Sequence, residues 1–241
     1  MPQFQSPGGG SAGLRLESVL IGGLPAMNIT ITDEMASLNH LDDWIVIGWY
    51  TPDYRPYAVS LASQLDAYQT PYHFFGIAKP EGHSWEELTR MKPEVVLRAM
   101  DRHPGKTLVL FDIDVTVLKP IAEMRHIRGD VSFYMSVRNP RGNRIKFSCS
   151  SRAMVVRPTP ECRYFMQAWR DRCATIRRYA FDETVLMLIL ARSSYISFSP
   201  LPEIYSARDR NTAPAGAAVV HESASASSFK MSGLLRKLRI Y

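Results

Sequence analysis

The sequence predicts an α/β fold, a mixed central sheet with helices on both faces, in a single domain. Trp44–Tyr50, Tyr72–Ile77 and Thr107–Phe111 are short and almost wholly apolar, and turn residues bound them. Strands buried on both faces read this way, because neither face alternates with solvent. Helical patterns separate the runs, and strands alternating with helices indicate an α/β sheet. The third observation is bulk: 241 residues, 46% of them apolar, are enough for one sizeable core.

Along the chain, residues 1–13 are rich in Gly, Ser, Pro and Gln and read as a disordered tail, leaving residues 14–241 as the domain. Asn28–Thr32 suggests an edge strand. After Trp44–Tyr50, Arg55–Gln69 reads as a helix with Leu61, Leu65 and Tyr68 on one face. Ser84-Trp85-Glu86-Glu87 has the form of a capping box opening a short helix. Pro93 suits the first turn of a helix over Glu94–Arg102. Val131–Val137 and Arg152–Val156 read as strands, and Pro160–Arg177 as a helix carrying Phe165 and Trp169 four residues apart. Asp182-Glu183 opens a helical pattern over Thr184–Arg192. Ser206–Gly216 is a polar loop, and Phe229–Ile240 is a basic helix with Leu234, Leu235 and Leu238 on one side.

The densest chemical signal is Asp112-Ile113-Asp114 at the end of the Thr107–Phe111 run. Ligands of open α/β sheets bind beyond the carboxyl ends of the strands. Carboxylates separated by one residue on an extended segment point to the same side. Two such charges need a cation or a proton between them. Oxygen ligands favour a hard divalent ion, Mg²⁺ or Mn²⁺, and with it a phosphate. A solvated surface pair is the bland alternative, and delivery by an apolar strand to the functional edge argues against it.

Phe111-Asp112-Ile113-Asp114-Val115-Thr116 resembles two unrelated motifs. In haloacid-dehalogenase-like phosphatases the first Asp, here Asp112, is the nucleophile, with Asp114 as general acid-base. In glycosyltransferases of the GT-A fold both carboxylates hold a metal that neutralises a nucleotide-sugar diphosphate. The phosphatase pattern asks for a later acidic pair closing an apolar strand, whereas Asp182-Glu183 opens a helix. The order strand, Thr51-Pro52-Asp53-Tyr54, helix, Trp85, Met91-Lys92-Pro93 and Leu110-Phe111-Asp112-Ile113-Asp114 resembles the GT-A nucleotide-diphospho-sugar transferases. Phe181-Asp182-Glu183-Thr184-Val185-Leu186 and Val219-Val220-His221 are similar to that family's later segments, so the likeness spans residues 44–230. The chain departs from the family at Phe147–Ser151, which lacks a Gly, and after His221, where a Gly and Lys-Pro are missing.

The resemblance implies a metal-dependent, hexosyltransferase-like enzyme that moves a sugar from a nucleotide-diphosphate sugar to a hydroxyl of a glycan, lipid or protein. Asp112, Asp114 and His221 would hold Mn²⁺ or Mg²⁺, the imidazole favouring Mn²⁺. Thr51, Asp53 and Tyr54 would meet the nucleoside, Asp112 and Lys230 the diphosphate, Lys92 the sugar-nucleotide, and Asp182 the sugar or acceptor. Asp182 is preferred to Glu183, whose neighbouring position on the helix turns it elsewhere. The late His resembles retaining families. A phosphatase built on Asp112, and a catalytically inactive nucleotide-sugar-binding protein, are the other readings.

Net charge is +6, but Lys and Arg are scattered, and the denser stretches Arg138–Lys146 and Lys230–Arg239 lack interleaved aromatics. That pattern speaks against nucleic acid and leaves three readings: a merely basic surface, an anionic substrate, or peripheral contact of the basic C-terminal helix with an anionic inner membrane face. No apolar run reaches the ~20 residues needed to span a bilayer. Cys149, Cys162 and Cys173 have no metal spacing, and free thiols with no visible signal segment fit a cytoplasmic protein.

Overall fold

A computed structural model describes residues 29–37, 42–79, 81–138, 146–176 and 180–221. The tail at 1–13, the basic pattern at 229–240 and Lys230 lie outside the described residues. The strands are β1 (Ile31–Ala36), β2 (Trp44–Tyr50), β3 (Tyr72–Ile77), β4 (Thr107–Phe111), β5 (Val115–Val117), β6 (Val131–Arg138), β7 (Lys146–Val156), β8 (Phe198–Pro200) and β9 (Val219–His221). The helices are α1 (Arg55–Ala67), α2 (Trp85–Thr89), α3 (Lys92–Arg102), α4 (Pro160–Thr175) and α5 (Asp182–Leu190). Among the described residues no helix is long and apolar enough to cross a membrane.

Seven strands form one mixed sheet in the order β1-β3-β2-β4-β7-β6-β8. The pairings β2–β3, β2–β4 and β6–β8 are parallel, and the others are antiparallel. The three apolar runs of the sequence are β2, β3 and β4, adjacent at the centre. Alternate residues serve opposite faces. Ile45, Ile47, Phe75, Ile77, Leu108 and Leu110 pack with α3, α4 and α5, while Val46, Phe74, Val109 and Phe111 pack with α1. Burial on both sides is why these strands carry no polar alternation.

Several boundaries differ from the sequence reading. The edge strand is Ile31–Ala36 rather than Asn28–Thr32, because its partners run from Ile31 opposite Ile77 to Ala36 opposite His73. The Arg152–Val156 strand is the inner half of β7, whose outer half pairs with β6 from Tyr134 opposite Ser150 to Arg138 opposite Lys146. Mixed polarity in Phe147–Ser151 concealed it. The helix after Tyr54 ends at Ala67, leaving Tyr68 at its C-cap and part-exposed, with its hydroxyl donating to the Leu118 carbonyl at 2.9 Å. Asp182 and Glu183 belong to α5 itself. The capping box is present: Ser84 Oγ accepts from Glu87 N, and the Glu87 carboxylate accepts from Ser84 N at 2.7 Å.

Two features aim the end of β4. Asp112 N donates to the Arg152 carbonyl at 2.8 Å, extending the β4–β7 ladder by one bond. The chain then turns into β5, which pairs antiparallel with β9 and sets Val115 opposite His221. Beneath the turn lies Gly48 of β2. A Cβ there would stand 3.1 Å from the Phe111 carbonyl and 3.3 Å from Ile113 Cδ1. Gly48→Ala is therefore expected to cost ~1–3 kcal/mol by overpacking. Urea unfolding measures it, and an unchanged midpoint would show that the turn yields freely.

Candidate active site

The carboxyl ends of β2 and β4 open onto a small cleft of about 90 Å³. Its walls include Thr51, Tyr54, Trp85, Lys92, Asp112 and Asp114. Asp112 and Asp114 share this side because of a turn rather than an extended segment. Ile113 between them is buried in the core, so both carboxylates face outward.

The β5–β9 pairing delivers His221 to the same place. Ligand atoms of Asp112, Asp114 and His221 lie within 4.8 Å of one another. His221 Nδ1 is 3.7 Å from Asp114 Oδ1. The imidazole is only 2% exposed, and its Nε2 is buried with no hydrogen-bond partner. Burial, then the positive charges of Arg152 and Lys92, push its pKa well below the ordinary value, against a hydrogen bond to the Arg152 backbone. A neutral imidazole beside two carboxylates fits a divalent cation. Two hard oxygen donors and one nitrogen suit Mn²⁺ or Mg²⁺, the nitrogen favouring Mn²⁺.

Beside this trio is a buried ion cluster. Lys92 opens α3 and is 3% exposed. Its ammonium donates to Asp112 Oδ1 at 2.8 Å, Asp182 Oδ2 at 3.1 Å and Ser151 Oγ at 2.9 Å. Ser151 Oγ in turn donates to Asp182 Oδ2 at 2.6 Å. All three ammonium donors are thereby used. Burial alone would lower the Lys92 pKa; Asp112 and Asp182 outweigh it and hold it above the ordinary lysine range. Lys92 is thus a cation that stays charged and ties β4 to α5.

Glu183 does not turn away from this cluster. Its carboxylate accepts from Ser151 N at 3.2 Å, and burial and then Asp182 raise its pKa. Successive side chains at a helix start need not diverge, because the first turn of α5 lies against β7 and Ser151 contacts both. Trp169 of α4 donates its indole N–H to the Asp182 carbonyl at 3.2 Å and fixes that turn from behind. Ser151, Arg152 and Glu183 are site residues that sequence reasoning missed. The run of hydroxyls in Phe147–Ser151 was the available signal, and its mixed polarity read as a departure from pattern.

Beyond the end of β2, Thr51 and Tyr54 line the cleft. Asp53 is half-exposed and accepts from Thr51 Oγ1 and from Lys79 Nζ at 3.3 Å. The Thr51 hydroxyl is the main cause of its lowered pKa. Lys230 lies outside the described residues.

No family model matches the sequence, and no curated protein matches it. Solved structures do match. One is a glycosyltransferase involved in the glycosylation of the major capsid of PBCV-1, which superposes with a TM-score of 0.57 at 12% identity, over 79% of this chain and 98% of its own. This chain shares that protein's fold. The glycosyltransferase GlyE of Streptococcus pneumoniae TIGR4 aligns with a TM-score of 0.49 at 8% identity, over 75% of this chain and 55% of that one.

Two expectations follow from the geometry. Lys92→Met strands Asp112, Asp182 and Ser151 without their cation, and should cost ~3–5 kcal/mol, as for other broken buried pairs. Chemical denaturation reads this directly, and a loss below ~1 kcal/mol would mean the cluster carries little of the fold. The second concerns pH in metal-free protein. The unfolded His221 titrates near ~6.5, whereas the folded one stays neutral to lower pH. Below ~6.5 the unfolded state binds the extra proton, so stability falls as pH falls. His221→Gln should flatten that dependence, and melting curves between pH 5 and 7 test it; parallel profiles would remove His221 as the cause.

Proposed function

We propose that this chain is a metal-dependent glycosyltransferase that moves a sugar from a nucleotide-diphosphate sugar to an acceptor hydroxyl. The observation that carries the reading is the convergence of Asp112, Asp114 and the His221 imidazole on one side of a cleft that Lys92 also lines. The fold shared with a glycosyltransferase supports it. A divalent cation held by those three residues would neutralise the diphosphate as it departs.

The residues divide the work across the sheet. Thr51 and Tyr54 beyond β2 receive the nucleoside, with Asp53 held beside them by Thr51 and Lys79. Beyond β4, Asp112 and Asp114 face the diphosphate. The resemblance adds Lys230 as a further diphosphate contact. Lys92 stays protonated, offsets Asp112 and Asp182, and holds the Asp182 carboxylate by Oδ2. Asp182 Oδ1 is left to address the donor sugar or the acceptor hydroxyl. Fixed charges of this kind cost no reorganisation when charge develops. Retention of configuration, a hexosyl donor and a glycan, lipid or protein acceptor belong to the same proposal. So do a cytoplasmic location and peripheral contact of the basic C-terminal segment with an anionic membrane.

A phosphatase built on Asp112 is less well supported. Its second acidic pair would have to lie in α5 rather than at a strand end. The deciding measurement is nucleotide release from UDP- and GDP-sugars with Mn²⁺. Asp114→Asn should lower it by roughly 10²–10³-fold with the fold kept. His221→Ala should raise the Mn²⁺ requirement by about tenfold or more. Superimposable Mn²⁺ curves for wild type and His221→Ala would sink the three-ligand site. Tight nucleotide binding without turnover would identify a binding protein instead.

A further inference from the structure

The mouth of the cleft carries two large aromatic rings that the proposed chemistry does not use. Trp85 is 46% exposed and lines the cleft; Phe181 is 43% exposed and immediately precedes Asp182. Their ring centroids are 6.0 Å apart and their planes meet at 67°, so the pair forms an open corner rather than a closed stack. Large rings in soluble proteins are mostly covered, and an exposed pair at a cleft marks a surface that receives something.

Both rings stand on locked backbone. Trp85 is the first residue of α2, behind the Ser84–Glu87 capping box, and Glu87 is itself 3.7 Å from the Arg90 guanidinium. Phe181 is the N-cap of α5, and its carbonyl accepts from Thr184 N at 3.1 Å and Val185 N at 3.3 Å. The next residue, Asp182, is tied to Lys92 and Ser151. The rings are therefore displayed at fixed positions, which lowers the ordering cost of binding. Thr89, one helical turn after Trp85, lines the same cleft and sets a hydroxyl beside the indole.

We propose that Trp85 and Phe181 form the acceptor platform, and that the acceptor is a carbohydrate whose pyranose ring stacks on them. This rests on the transferase reading. A pyranose presents an apolar C–H face to the electron-rich ring faces and hydroxyls at its edge. Thr89 lines the cleft beside that corner and is suited to the edge hydroxyls, while Asp182 lies buried one residue behind Phe181. The nucleoside has its place beyond β2, and Phe181 marks the opposite side, where α5 packs on β7. A lipid tail would call for a longer apolar channel than two rings.

A glycan array probed with the full chain, Mn²⁺ and UDP or GDP tests the platform. Wild type is expected to bind a set of oligosaccharides, with Trp85→Ala and Phe181→Ala losing about tenfold or more and Trp85→Phe about threefold or less. Melting temperature should stay unchanged in all three, because both side chains are part-exposed. Binding to no glycan, or equal binding by wild type and Trp85→Ala, overturns the platform. So does a matching loss of Mn²⁺-dependent nucleotide affinity in Trp85→Ala, since that would put the indole in the donor pocket. Nucleotide-sugar hydrolysis by wild type is scored separately: its absence removes the transferase reading, while the array alone judges the platform.

Discussion

The Lys92 ammonium holds the site together. It joins the end of a central strand, through Asp112, to the first turn of a helix, through Asp182, with Ser151 of β7 closing the ring. A buried cation of this kind is stable only because each of its donors has a partner and two carboxylates surround it. The carboxylates depend on it equally. Asp112, Asp114, Asp182 and Glu183 crowd one corner, and without Lys92 their mutual repulsion would fall on the fold.

The same cluster explains the division between what is saturated and what is left unsatisfied. Ser151 and Asp182 are bonded to one another and to Lys92. His221 Nε2 is not bonded, although it is buried. Buried polar atoms without partners are uncommon and call for an explanation. A neutral ring supplies one: the lowered pKa leaves a nitrogen unprotonated, and Nδ1, 3.7 Å from Asp114, is the nitrogen toward the carboxylates.

Packing below the cluster is as specific as the charges within it. Gly48 leaves room for Ile113, and Ile113 in the core turns Asp112 and Asp114 outward together. The short β5–β9 pair then sets the register that brings His221 level with the turn. Two strands of three residues each would be marginal alone. They hold here because Val115, Val117 and Val219 are buried in the same cluster as Phe111 and Leu65.

The sequence by itself determined the central strands, the helix starts at Ser84 and Pro160, and the placing of Asp112 and Asp114 at the end of a central strand, though not the turn that carries them. Burial on both faces, capping and turn chemistry are local constraints, and each leaves its mark within a few residues. The fold class followed, because apolar strands alternating with helices have few ways to bury their faces. Only the tertiary structure decided which distant side chains meet. Ser151 left only a run of hydroxyls as a signal, Glu183 left none, and composition alone does not tell Lys92 from a surface lysine. Glu183 was expected to point away, since helix geometry was the only guide to it. What places these residues is the packing of α3 against β2 and β4, of α5 against β7, and the antiparallel pairing of β9 with β5. Such contacts join residues tens of positions apart, so hydrophobic periodicity, which reads only near neighbours, does not register them.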